Sequence, residues 1–313
     1  MNVCKIYPQG YCKGVYNAIK VTLETRNKYP NEKIYILGLI IHIKLIKNEL
    51  DKLNIYSLYS KEKSRLELLD EINEGIIILT AHGTDLELVN KIKEKNLTYI
   101  DTTCTYVNST YEIIKNELNN NHEVIYIGIH NHPEATATIS INKEKIHLIQ
   151  KEEDIDNLII NDDSPLITNQ TTLSLNQIND LYNKILKKIP NARLSNEQCD
   201  ATRLRQTAII NSNDTFDLIF VVGDSLSNNS KQLYKLASNK CESYLIESIN
   251  DIQIEWLKDK NNIGVTSGAS TPGAIVNQIV NWLKDFDINN SDTYLKPSIE
   301  NIDILQEFKK IEY

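Results

Sequence analysis

The sequence predicts an α/β protein made of three similar units, each built on a mainly parallel sheet. Three observations carry this. Cysteines recur at even intervals, with Cys12, Cys104 and Cys199 separated by 104 − 12 = 92 and 199 − 104 = 95 residues. Polar loops that follow apolar, strand-like runs repeat at nearly the same interval, two per third of the chain. Short isoleucine-rich runs also alternate with segments of helical period, which implies βαβ units and parallel sheets. A repeat sets the architecture before any local assignment. This one is too long for a solenoid and reads as repeated small domains, each sending one thiolate to a shared centre.

In chain order, residues 33–37 and 75–79 are short apolar runs bounded by turn or polar residues, the pattern of strands buried on both faces. Helix-period segments lie around them. In 15–29 the apolar residues Val15, Ile19, Val21 and Leu23 recur and Pro30 closes the segment; in 85–95 Leu86, Leu88, Val89 and Ile92 gather on one side. The second third repeats the plan with helices over 107–118 and 175–189, and the last third has 231–237 and the amphipathic 273–286. Periodicity alone sets the domain boundaries at 1–103, 104–198 and 199–286. The polar tail 287–313 is expected to wrap the surface or to hang loose.

Ligands of parallel sheets bind outside the carboxyl ends of the strands, and that rule turns the loops into a site. The first loop of each third carries His42, then His132 to Glu134, then Ser227 to Asn229 (132 − 42 = 90; 229 − 132 = 97). The second carries His82, Thr171 and Ser270 (171 − 82 = 89; 270 − 171 = 99). Neutral donors and backbone N–H groups at helix starts suit phosphate oxygens. No Lys or Arg stands within these loops, so protonated histidines would supply positive charge. Glu134 is the one carboxylate embedded at a strand end and is the candidate proton donor: burial beside an anionic ligand would raise its pKa. His122, His130 and His147 read as satisfied surface or core residues.

Three convergent thiolates could hold zinc with an open fourth position, or an iron-sulfur cluster with one iron lacking a protein ligand. Structural zinc sites use close Cys-x-x-Cys pairs, which this chain lacks; widely spaced single cysteines suit a larger cofactor. Five cysteines, an odd number, read as reduced thiols in the cytoplasm, with Cys4 and Cys241 as small buried apolar residues. A net charge of −8 without a basic patch argues against nucleic acid and membrane surfaces. No run approaches the ~18 apolar residues of a membrane span, and the start of the chain leaves no room for a signal peptide.

The stretches GYCKGVYNAI, TAHG, DTTC, HPE, NQTTLS, CDATRLRQ, VVGDSLSNNS and GVTSGAS, in this order and spacing over roughly residues 1 to 285, resemble the 4-hydroxy-3-methylbut-2-enyl diphosphate reductase family. The resemblance implies a trefoil of three α/β domains around a central 4Fe-4S cluster. It implies that Cys12, Cys104 and Cys199 bind three irons and that the fourth takes the substrate's hydroxyl oxygen. His42, His82, His132, Ser227, Asn229 and Ser270 match the diphosphate-binding positions, with Asn228 where a second serine is common. Glu134 and Thr171, beside His132, match the proton-delivery pair. The implied reaction is reductive removal of the hydroxyl of an allylic diphosphate, the last step of the methylerythritol phosphate route, with electrons from a ferredoxin or flavodoxin. Thr105, Ile43, Ala135 and Ala137 depart from the family pattern, where Pro, Asn, Val and Gly are common, which bears on pocket shape and rate. Two other readings share the cysteines: a quinolinate synthase-like cluster enzyme, and a non-catalytic iron-sulfur sensor.

Overall fold

Branched aliphatic runs become strands here because such side chains suit a pleated surface buried on both faces. The computed structural model describes residues 1–40, 44–60, 62–195, 199–212 and 215–308. Its strands are β1 (Asn2–Lys5), β2 (Ile34–Leu37), β3 (Ile55–Leu58), β4 (Ile76–Leu79), β5 (Thr98–Asp101), β6 (Val124–Ile127), β7 (Ile146–Ile149), β8 (Leu166–Asn169), β9 (Arg193–Leu194), β10 (Leu218–Val222), β11 (Glu242–Ile246) and β12 (Asn262–Ser267). Between them run helices α1 (Lys13–Lys28), α2 (Lys44–Lys52), α3 (Arg65–Asp70), α4 (Leu86–Glu94), α5 (Thr105–Asn119), α6 (Pro133–Ser140), α7 (Glu152–Asp156), α8 (Leu175–Lys188), α9 (Asp200–Ile210), α10 (Asn228–Ser238) and α11 (Gly273–Asp285).

The strands form three four-stranded sheets, ordered β3-β2-β4-β5, β7-β6-β8-β9 and β11-β10-β12-β1, and every pairing is parallel. The α/β expectation of three parallel-sheet units is borne out. Each sheet follows one plan in which the second strand lies outside the first, the third beside the first, and the fourth at the far edge. In the last sheet the fourth place is taken by β1, from the start of the chain. The predicted cysteines follow those fourth strands: Cys12 after β1, Cys104 after β5, Cys199 after β9. Each is succeeded by a helix, α1, α5 and α9 respectively. The predicted polar loops follow the two central strands, where the strand order reverses and a crevice opens.

Packing explains the register. In the first sheet Leu37, Ile77 and Leu79 meet Leu69, Leu88 and Ile92. In the second, Ile125, Ile127 and Ile167 face Ile178, Leu181 and Ile185 on one side, while Val124 and Tyr126 face Ile114 and Ala135 on the other. In the third, Ile219 and Val221 pack on Ile209, Leu233 and Ala237. Helix α1 differs from its predicted face: Thr22 and Thr25, not Val21 and Leu23, join Ala18 and Ile19 inside. Their hydroxyls donate to the carbonyls of Ala18 and Val21, both at 2.7 Å, which satisfies a buried polar group within the helix itself. Cys4 and Cys241 are half-buried, not buried, Cys4 because it sits on the edge strand β1.

Chain contacts divide the fold into two compact units. One comprises the described residues of Met1–Tyr16, Ile41–Leu50 and Asp200–Tyr313; the other comprises those of Asn17–Ile40 and Asp51–Cys199. The tail is tethered to the first: Ile304 and Phe308 are buried. The Phe308 ring stacks on Tyr16 at 4.8 Å and lies 5.8 Å from Tyr11. Among the described residues no helix is long and apolar enough to cross a membrane.

Candidate active site

In the second unit, the loops after β4, β6 and β8 bring together four of the predicted residues. His82 and His132 meet edge to face with ring centres 5.8 Å apart. His132 begins α6, where Pro133 fits the first turn because its missing N–H is not needed there. The His132 Nδ1 accepts the Glu134 backbone N–H at 3.2 Å, which leaves Nε2 as that ring's donor. Glu134 is 1% exposed. The Thr171 N–H donates to its Oε1 and the Thr171 hydroxyl to its Oε2, both at 2.8 Å. Burial pushes the Glu134 carboxyl up to about 7, against the opposing pull of hydrogen bonds from Thr171 and Tyr126. Such a group can hold a proton near neutrality and give it up.

The loops are stitched by residues that the sequence did not single out. Gln170, fully buried, accepts the Ile129 N–H at 3.0 Å and donates to Thr172 Oγ1 at 2.9 Å, tying the β6 and β8 loops together. Gly83, beside His82, has a φ of +86°, and a Cβ there would lie 2.1 Å from the Tyr111 hydroxyl, so only glycine lets the loop close over Tyr111. The Cys104 N–H donates to the Ala81 carbonyl at 3.0 Å, which places the cysteine against the His82 loop at the head of α5.

In the first unit, Cys12 sits in a loop held on every side. Its N–H donates to Ala269 at 2.8 Å, next to Ser270. Gly10 donates to Ser267 Oγ at 3.1 Å, and the Arg205 guanidinium donates to the Gly10 carbonyl at 2.8 Å. Arg205 is 3% exposed; its signal in the sequence was an arginine in CDATRLRQ with no role assigned. The Val15 N–H points at Cys12 Sγ at 3.4 Å. Around β10, the Ser227 hydroxyl caps α10 by accepting the Ser230 N–H at 3.4 Å. Asn229 is buried with neither amide atom hydrogen-bonded, an expense that a fold tolerates where a ligand is meant to fill it. Asn228 stands beside it as the first residue of α10. Thus Cys12 and Ser270 are brought together, as are Ser227, Asn228 and Asn229. His42 lies outside the described residues.

Does this chain suit an iron-sulfur cluster? Cys12, Cys104 and Cys199 are half-buried and in no disulfide, and each directly precedes or caps a helix N-terminus. The Val15 N–H on Cys12 adds a hydrogen bond to sulfur of the kind that tunes such clusters. Among the described residues, no group of three or more His, Cys, Asp or Glu side chains is drawn together for a single ion. His122 pairs with Asp162 at 2.9 Å and His147 with Glu123 at 2.5 Å, so both have structural partners.

Residues 3–284 match the family model described as LytB protein. The chain is 38% identical over 292 residues to the 4-hydroxy-3-methylbut-2-enyl diphosphate reductase of Malacoplasma penetrans, spanning 91% of this chain and 97% of the relative. It is 38% identical over 305 residues to that of Brevibacillus brevis, spanning 96% and 97%. The solved reductase of Plasmodium falciparum superposes with a TM-score of 0.84 at 30% identity, over 92% of this chain and 89% of that one. A second solved reductase, described as the terminal enzyme of the non-mevalonate pathway, gives 0.64 at 26% identity, over 91% and 99%. Eight motifs in register, three parallel sheets of one plan and matches along almost the whole length agree: the chain belongs to the LytB family of 4-hydroxy-3-methylbut-2-enyl diphosphate reductases.

Proposed function

We propose that this chain converts 4-hydroxy-3-methylbut-2-enyl diphosphate to isopentenyl and dimethylallyl diphosphate, the last step of the methylerythritol phosphate pathway. The observation that carries the reading is Glu134, a buried carboxyl poised near neutrality and held by Thr171. The reaction consumes two electrons and two protons: the allylic C–O bond breaks, the oxygen leaves as water with one proton, and the other proton is added to carbon. Cys12, Cys104 and Cys199 would hold a 4Fe-4S cluster, which would supply the electrons when bound. Glu134 holds the proton at its carboxyl, and Thr171 orients that carboxyl through paired hydrogen bonds. His132, donating from Nε2, His42 and His82 bind the diphosphate, together with Ser227, Asn228, Asn229 and Ser270. The unbonded amide of Asn229 supports that role most directly. The three-domain division at residues 104 and 199 is proposed with it, supported by the fourth strand that ends each sheet ahead of its cysteine.

The electron donor we propose is a ferredoxin or flavodoxin. Five cysteines, none in a disulfide, suit a reducing cytoplasm. The test is anaerobic purification with visible absorption and iron and sulfide analysis, then reductant and substrate. A brown protein that forms both products and loses turnover, but not its cluster, on Glu134→Gln supports the reading. A brown protein that ignores the substrate returns the chain to a sensor or another cluster enzyme, and a chain that stays colourless after reconstitution removes the three-thiol centre.

A further inference from the structure

Glu134 has a third hydrogen-bond donor that no part of the proposed machinery accounts for. The phenol of Tyr126 donates to Glu134 Oε1 at 3.4 Å, on the same oxygen that takes the Thr171 N–H. Tyr126 lies on β6 among Val124, Ile125 and Ile127 and has no exposed surface. A hydroxyl there has no bulk water to fall back on, so its direction is set by the acceptors within reach. An aliphatic residue would fill the same core position with no polar atom to satisfy, so packing alone does not explain the phenol. Two residues on, Gly128 lacks a side chain where a Cβ would stand 2.7 Å from the Tyr126 ring. Behind the carboxyl, Thr138 Oγ1 donates to the Glu134 carbonyl at 2.7 Å and fixes the first turn of α6.

A buried acid that delivers a proton faces a physical difficulty: once the proton has left, an ion remains out of water. Donors already aimed at the carboxylate offset that cost without rearrangement. Thr171 lies in the loop after β8, whereas Tyr126 reaches the carboxyl from the sheet. We propose that Tyr126 is a positioning residue for proton delivery, holding Glu134 Oε1 from the sheet side so that the carboxylate keeps its place and a donor after the proton departs. The proposal rests on Glu134 as the proton donor. The other titratable groups around it are Tyr111, whose ionisation Glu134 opposes, His132 at the head of the same helix, and His82 packed on His132.

The sign of the effect follows. A phenol that donates to the ionised carboxylate favours ionisation, and Tyr126 is one of the groups that pull Glu134 down against its burial. Without that hydroxyl, the carboxyl keeps its proton to higher pH. The experiment is the pH profile of kcat/KM for the cluster-loaded enzyme and its Tyr126→Phe variant, with Tyr126→Leu as a second replacement and Glu134→Gln as a control. Infrared titration of the carboxyl band lost in Glu134→Gln is recorded on the same proteins. The expected result is an alkaline limb and a carboxyl band that both move up by about one pH unit in each Tyr126 variant, the scale of one hydrogen bond to a charged group, with cluster absorption unchanged. A limb and band that stay in place, in either variant that keeps its cluster, overturn the proposal and leave Tyr126 a packing residue. If Glu134→Gln retains turnover, the proton-donor reading fails instead, and the two failures are distinguished.

Discussion

Thr171 donates twice to Glu134, its N–H to one carboxylate oxygen and its hydroxyl to the other, each at 2.8 Å. The N–H belongs to the backbone and stays when the side chain changes, so Thr171→Val removes one grip and keeps the other at nearly constant volume. We expect kcat to fall about 10-fold or more, short of the roughly 100-fold low end for losing an acid–base group outright, with KM for the diphosphate little changed. Steady-state kinetics check this. A KM effect without a kcat effect would place Thr171 in substrate binding only.

Glu134 makes the fold's stability depend on pH. Burial pushes its carboxyl from an ordinary 4.5, kept when the chain is unfolded, up to about 7 in the folded chain. Between those values the folded state binds the proton and the unfolded state does not, so stability is full below the lower value and falls as pH rises through the upper one. The loss is on the order of 3 kcal/mol. Thermal unfolding of the cluster-free chain between pH 4.5 and 7.5 should therefore show a slope that Glu134→Gln flattens, and an unchanged slope would contradict the burial of the charge.

Asn229 predicts a trade between stability and binding. Its buried amide lacks partners within the protein, and an unsatisfied buried group costs about 1–3 kcal/mol. Asn229→Ala should leave the melting temperature level or higher while KM for the diphosphate rises at least about 10-fold, in keeping with one lost hydrogen bond to a charged group. A variant that melts earlier and binds normally would make the amide structural.

Phe308 stacks on Tyr16 and lies near Tyr11, the residue ahead of Cys12. Phe308→Ala leaves a cavity in a nearly closed site, with an expected loss of about 3 kcal/mol. Because the cavity opens beside the Cys12 loop, chelator bleaching of the cluster's visible absorption should quicken as well. Equal bleaching rates would show that the tail supports the fold without steadying that ligand.

Much of this was legible in the residues. Helices over 85–95, 107–118 and 175–189 were predicted and appear as Leu86–Glu94, Thr105–Asn119 and Leu175–Lys188, since a 3.6-residue stripe has one physical meaning. Helix α6 was missed because Pro133–Ser140 carries Pro, Thr, Ala and Ser in place of an apolar stripe; its face is drawn by tertiary packing of Ala135 and Thr138. Tyr126, Gln170 and Arg205 were also out of reach. A tyrosine in a strand, a glutamine in a loop and an arginine in a helix have no local period, and their meaning arises only from groups 8, 41 and 195 residues away. Glu134 could be named because its loop recurs in the repeat, but its pKa depends on burial that no local pattern reports.

The pairing of β1 with β12 joins residues 260 positions apart, with Asn2 bonded to Asn262. During synthesis β1 leaves the ribosome well before its partner β12, and contacts of such separation are slow to form because the intervening loop must first be closed. The Cys12 loop leans on Ala269, Ser267 and Arg205, so its shape waits on nearly the whole chain, while the sheets that precede Cys104 and Cys199 can close from local sequence. The Cys12 loop therefore takes its shape only once β12 has been made and paired. A nascent chain halted ahead of Asn262 should leave Cys12 open to alkylation, which makes this thiol a reporter of whether β12 has joined its sheet.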